Sequence, residues 1–147
     1  MSAMLEEVVR IYEAYLEEFY QQKKSRGPFD GIFGLRGGPQ DYPCHEKFIQ
    51  DLDRQLKSLL SQSPAPHETE EVLWYIYCEA PARWEREPTV YYMLLAAHSL
   101  TPDLTGCLDA SGAQALYDAY QKQYPRRRRL PVQIKILDAL KGRSEAK

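Results

Sequence analysis

A run of four consecutive arginines is the part of this sequence best suited to binding chemistry. The run lies between two prolines and consists of Arg126, Arg127, Arg128 and Arg129. A guanidinium group binds a phosphate or a carboxylate through two parallel hydrogen bonds, so the run could hold an anionic ligand. Tyr120 and Tyr124 come shortly before it, and tyrosine rings can stack on nucleic-acid bases. The pattern therefore suggests nucleic acid as one class of partner.

The charge distribution offers two structural explanations for the same arginines. Residues 126–147 contain eight basic and two acidic side chains, a net charge of +6, whereas residues 68–88 contain two basic and six acidic ones, a net charge of −4. The run could pair with Glu68, Glu70 and Glu71, or it could complement the negative end of the preceding helix dipole. The whole chain has a net charge of −2, unlike the basic domains typical of nucleic-acid binders, so the sequence favours a structural role.

A glycine-rich segment is the second candidate for ligand binding. Residues 26–43 contain five glycines together with apolar side chains, among them Phe33. A phosphate-binding loop needs a lysine and a hydroxyl residue after its glycines and a strand before them, and all three are missing here. We therefore predict a long loop that packs on the core or acts as a lid. Phe33 and Arg36 are its contribution to a candidate interaction surface.

The histidines and cysteines are too scattered to predict a metal site. They are His45, His67, His98, Cys44, Cys78 and Cys107. No pair has the spacing that presents two ligands on one helix face, so we expect no metal and no cofactor. Cys78 lies within an apolar run, where a thiol is usually inert. A nucleophilic Cys78 or Cys107 with His98 as its base would make the protein an enzyme with a cleft near His98, which is the weakest alternative.

A short polar hinge between Pro81 and Pro88 combines a large aromatic residue with both signs of charge. Arg83, Trp84 and Arg86 are residue types enriched at protein-binding hot spots. The alternative is that the tryptophan folds back onto the core and the charged side chains are merely solvated. These three residues, Tyr120, Tyr124, the arginine run and the glycine segment form the candidate interaction surface.

The elements that must position these residues are predicted to be helices. Two apolar runs, at residues 72–78 and 90–97, belong at the centre of a domain because no face of either is polar. The first run has the composition of a strand, but no second strand is available to pair with it, so a helix is favoured. The predicted helices cover residues 3–24, 44–61, about 67–80, about 88–100, 111–124 and 131–141.

The helix boundaries define the expected architecture. Ser111 and Gln114 match a capping box at the start of the fifth helix, and Gly142 would cap the last one. Thr101 resembles an N-cap for one short turn between the fourth and fifth helices. We predict an all-α, single-domain irregular bundle of five to six helices over residues 1–142, with a long glycine-rich loop between the first two. Residues 143–147 should fray.

The general features of the chain predict a cytoplasmic protein. Residues 1–7 lack a basic region followed by an apolar one, so we expect no secretory signal. The longest apolar run has eight residues, far fewer than the roughly 20 that span a membrane. Three widely spaced cysteines fit a reducing compartment. The leading hypothesis is a non-catalytic interaction module that binds a protein partner or further copies of itself. Nucleic acid is the alternative, and no small molecule is implied.

Overall fold

The computed structural model describes residues 2–26 and 43–145, apart from the side chains of residues 23–26 and of Arg128. Every regular element in these ranges is helical, which confirms the predicted all-α class. The described part contains seven helices, one or two more than predicted, because the short turn after Thr101 forms a helix of its own. The helices are α1 (Ala3–Arg26), α2 (Pro43–Ser61), α3 (Pro66–Trp74, continued by Tyr75–Glu79 and Ala80–Arg83), α4 (Pro88–Ala96, continued by Ala97–Leu100), α5 (Pro102–Thr105), α6 (Ala110–Gln123) and α7 (Pro131–Glu145).

Helices α1 and α2 pack against each other through apolar side chains that recur every three to four residues and form one face of each helix. The buried side chains of α1 are Leu5, Val8, Tyr12, Tyr15 and Phe19, and those of α2 include Phe48, Leu52, Leu56 and Leu59. The Phe48 ring lies edge-on to Tyr12, with ring centres 4.9 Å apart, and stacks on Tyr15 at 4.5 Å. Aromatic packing therefore joins the first two helices.

Helix α3 contains the run that has the composition of a strand. Its side chains at Ile76 and Tyr77 are completely buried, so tertiary packing overrides the local preference for strand. The middle of the helix, Tyr75–Glu79, is a wider π-helical turn. The helix continues through Pro81 and ends at Arg83, three residues beyond the predicted end. Pro81 thus lies inside the helix and does not begin the hinge.

Helices α3 and α4 form the middle of the molecule. They lie between the α1–α2 pair on one side and the α6–α7 pair on the other. Leu73, Ile76 and Leu94 have no exposed surface. Trp74 is only partly buried and donates its indole N–H to Glu70 over 3.3 Å, so it lies at the margin of the core. The most apolar stretches of the sequence therefore supply the central layer.

Two helix ends differ from the sequence prediction. The N-cap of α6 is Asp109, whose carboxylate accepts the Gly112 N–H at 2.6 Å, so the capping box predicted at Ser111 is wrong. The predicted cap at Gly142 is also wrong, because α7 continues to Glu145. Arg143 holds this last turn by donating its Nε–H to the Leu108 carbonyl at 2.6 Å. Residues 146 and 147 lie outside the described residues.

The short helix α5 begins after Thr101, but the threonine hydroxyl does not cap it. The hydroxyl instead donates to the His98 carbonyl over 2.8 Å inside the core. Large apolar side chains that remain exposed in the described ranges are Tyr20, Tyr92 and Ile134. None of the described helices combines the length and the apolar character needed to cross a membrane.

Candidate functional site

The π-helical turn of α3 is capped by side chains from other helices. Pro81 has no N–H, so it cannot donate to the carbonyls of Ile76 and Tyr77 one turn before it. His98 donates Nε2–H to the Ile76 carbonyl at 3.0 Å, and the Tyr124 hydroxyl donates to the Tyr77 carbonyl. The next carbonyl, of Cys78, accepts from the Gln123 side-chain amide at 3.1 Å. Helices α4 and α6 are thereby joined to the centre of α3.

The hydrogen-bond roles around His98 follow from its partners. Because the Ile76 carbonyl can only accept, Nε2 carries the proton and Nδ1 of the neutral ring accepts from the Tyr120 hydroxyl, 2.9 Å away. Burial lowers the pKa of His98 to about 4. The Tyr77 hydroxyl is 2.6 Å from the Thr101 hydroxyl, which itself donates to the His98 carbonyl, so Tyr77 is the donor to Thr101. The polar groups of this cluster therefore satisfy one another.

This cluster is a structural centre and gives no support to an enzyme cleft near His98. The His98 side chain has no exposed surface, and both of its ring nitrogens are engaged within the protein. Burial, followed by the charge of Glu79, raises the pKa of the Cys78 thiol to about 11, so the thiol is protonated near neutral pH. Cys107 is a partly exposed free thiol, and the described residues do not form a catalytic arrangement with it.

The other histidine of the core is part of a second polar contact. The Tyr15 hydroxyl lies 2.9 Å from Nδ1 of His45, and the Sγ atom of Cys44 is 4.0 Å from the same nitrogen. Burial lowers the pKa of His45 and raises that of Cys44. Within the residues the structure describes, no group of three or more His, Cys, Asp or Glu side chains comes together in a way that could hold a metal ion.

The arginine run lies in the loop between α6 and α7. Residues Arg126–Arg128 form one 3₁₀ turn, and the Arg126 and Arg127 side chains are exposed. Arg129 is half-buried and donates Nε–H to the Tyr124 carbonyl at 3.0 Å. Tyr124 also bonds to the Tyr77 carbonyl of α3. The loop is therefore held against the core at its first residue, while two of its guanidinium groups point into solvent.

Two of the three acidic residues offered by the sequence as partners of the run are engaged elsewhere. Glu68 accepts the Ala65 N–H at the start of α3, at 3.3 Å, and Glu70 accepts the indole N–H of Trp74. Among the described residues, no ion pair or hydrogen bond involves the side chain of Arg126 or Arg127. The predicted pairing with the start of α3 is therefore wrong for these two arginines.

The Trp84 hinge follows the end of α3 and contains both signs of charge. Arg83 and Arg86 are exposed, but Glu85 is exposed as well and Glu87 is half-buried, so the hinge has no net charge. Within the described residues, the exposed unpaired cations of the arginine run are Arg126 and Arg127. We call this pair the basic end.

An aromatic pair lies at the hinge. The partly buried Trp84 lies 5.4 Å, between ring centres, from the half-exposed Tyr20 of α1. The Trp84 ring packs on the core, as the structural alternative predicts, and also keeps an exposed part. Interfaces favour aromatic residues of this kind beside arginines.

Two tyrosines of the predicted interaction surface belong to the core. Tyr120 has no exposed surface and Tyr124 is 4% exposed, so neither ring is available to a ligand. Burial is the first cause that raises the pKa of both hydroxyls. Residues of α6 spaced three and four apart share one face, and the sequence does not say whether that face points inward. Phe33 and Arg36, also predicted for the surface, lie outside the described residues.

Comparisons of this chain with protein-family models, with curated proteins and with solved structures found no match.

Replacing Tyr124 with phenylalanine tests the link between the arginine loop and α3. The change leaves the buried Tyr77 carbonyl without its hydroxyl donor, so we expect the free energy of unfolding to fall by about 1–3 kcal/mol. Urea denaturation followed by circular dichroism measures the change. Tyr117→Phe is the matched control, because the Tyr117 hydroxyl accepts only an exposed hydrogen bond from Gln121. Equal stability of the two variants would contradict a capping role for Tyr124.

Proposed function

We propose that this protein is a non-catalytic interaction module that binds a partner protein through its basic end. The polar cluster inside the bundle supports the non-catalytic part of the proposal, because its donors and acceptors are used by the fold. The three cysteines of the chain are free thiols, which suits a reducing cytoplasm. Binding at the surface is the function that this arrangement supports best.

The observation that carries the proposal is that Arg126 and Arg127 are exposed and have no carboxylate contact in the described part of the chain. The loop that presents them is attached to the core through Tyr124 and Arg129. A surface that is already ordered loses little conformational entropy when a partner binds.

Nucleic acid is the second candidate, and the same exposed arginines favour it. Guanidinium groups bind phosphodiesters as well as carboxylates. The tyrosines that would have stacked on bases are buried, however, so the protein would rely on phosphate contacts at this place. A net charge of −2 also opposes the approach of a long polyanion.

Affinity purification with charge-matched variants tests the proposal. Tagged full-length protein, R126Q/R127Q and K135Q/K141Q are immobilised and exposed to lysate of the source cells with and without nuclease treatment, and retained proteins are quantified by mass spectrometry. Lys135 and Lys141 are exposed on α7, so the control loses the same charge outside the basic end. We expect a partner protein whose retention falls about tenfold or more in R126Q/R127Q, a loss equivalent to about 1.4 kcal/mol, and is unchanged in the control. Equal retention by all three proteins would refute binding at the basic end, and retention abolished by nuclease would favour nucleic acid.

A further inference from the structure

Building on the proposed function, we infer that the basic end recognises a short acidic segment of the partner, rich in Asp and Glu side chains. Arg126 and Arg127 are adjacent on one 3₁₀ turn, and both side chains are exposed. A planar guanidinium group matches a carboxylate through two parallel hydrogen bonds, which a lysine cannot reproduce. Neighbouring side chains of a 3₁₀ turn point about 120° apart, so an extended peptide that crosses the loop can offer a separate carboxylate to each arginine.

The backbone on both sides of the two arginines is fixed. Before them, the Tyr124 hydroxyl bonds to α3. After them, Arg129 bonds to the Tyr124 carbonyl at 3.0 Å, and the Leu130 N–H donates to the Gln133 side chain at 2.8 Å. The loop thus closes on itself between α6 and α7. An extended peptide can bind such a loop without ordering it first.

The charge of the rest of the chain favours a short acidic peptide over a polynucleotide. The net charge is −2, so without the four arginines of the run it is −6. A long polyanion that extends beyond the loop meets this net negative charge, whereas a short acidic segment contacts mainly the arginines.

Aromatic stacking also distinguishes nucleic acid from an acidic peptide as the ligand. Proteins that bind single strands usually add aromatic stacking to phosphate contacts, and Tyr120 and Tyr124 are buried. A carboxylate–guanidinium contact needs no aromatic platform.

Fluorescence anisotropy of full-length protein with labelled probes tests this inference. The probes are a peptide of about ten glutamates, the same peptide in glutamine, and oligo(dT) of matching charge, all at low salt because screening weakens such contacts. We expect the glutamate peptide to bind more tightly than both other probes. Its affinity should fall about tenfold or more in R126Q/R127Q and less than about twofold in K135Q/K141Q, since only the first pair lies at the proposed site.

Four other results would overturn the inference. Tighter binding of oligo(dT), lost in R126Q/R127Q, would identify the ligand as nucleic acid. A concentration-dependent mass in sedimentation, lost in the same variant, would identify the occupant as a second copy of this chain. Failure of the glutamate peptide to bind, while partner retention still depends on the arginines, would refute an acidic segment but leave the interaction module standing. If neither the peptide nor any partner depends on the arginines, both proposals fail.

Discussion

Replacing His98 with alanine should lower the free energy of unfolding by about 3–5 kcal/mol, the range for emptying a large buried site. The side chain is completely buried, so its removal leaves a cavity. The change also deprives the Ile76 carbonyl of its donor and the Tyr120 hydroxyl of its acceptor. Each unsatisfied buried group adds a penalty of about 1–3 kcal/mol unless the core relaxes.

Urea denaturation at neutral pH measures this loss, with His67→Ala as the matched control. His67 is exposed in the first turn of α3, so its replacement should change stability by no more than about 0.5 kcal/mol. A loss below about 1 kcal/mol for His98→Ala would mean that His98 does not hold the π-helical turn and that the central cluster is wrongly placed.

The stability of the protein should fall as the pH drops from about 6.5 to about 4. In the folded protein, burial lowers the pKa of His98 to about 4, from an ordinary value of 6.5. Between these values the unfolded chain binds the proton and the folded protein does not, so protonation favours unfolding. The loss from this one residue is about 3 kcal/mol, complete near pH 4 and absent above pH 7.

A comparison with His98→Gln isolates this contribution. Carboxylates also titrate in this range, and burial lowers the pKa of His45 as well, so several groups contribute to the pH dependence of the wild-type stability. Glutamine can donate to the Ile76 carbonyl and accept from Tyr120 but does not titrate. We expect the difference in free energy of unfolding between the wild-type protein and His98→Gln to narrow by about 3 kcal/mol from pH 7 to pH 4. A constant difference would contradict a buried neutral histidine.

The class of fold follows from the sequence because the apolar residues of α1 and α2 repeat with the helical period. Tyr12 and Tyr15 in α1, and Leu52 and Leu56 in α2, are buried as that period requires. The π-helical turn could not be placed from the same pattern, since its geometry depends on donors from distant helices. Pro81 is the signal that was available, because a proline inside a helix leaves carbonyls without donors one turn earlier.

The candidate site is less accessible to sequence reasoning because exposure and long-range pairing decide it. The spacing of Tyr120 and Tyr124 indicates a shared helix face, but only packing against Tyr77 and His98 shows that this face points inward. Whether Arg126 pairs with the start of α3 depends on the spatial distance between two segments that lie more than 50 residues apart in the sequence. Trp84 could be placed beside Tyr20 only through the packing of α3 on α1.

The free energy of unfolding of R126Q/R127Q, measured by urea denaturation, tests most directly whether these arginines are free for a partner. Both side chains are exposed and belong to no ion pair in the described ranges, so we expect a change within about 0.5 kcal/mol. Arg129→Gln is the internal comparison and should cost about 0.5–1.5 kcal/mol, since Arg129 bonds to the Tyr124 carbonyl. A loss of about 1.5 kcal/mol or more in R126Q/R127Q would show that the fold itself uses these arginines, and would contradict a binding surface at the basic end.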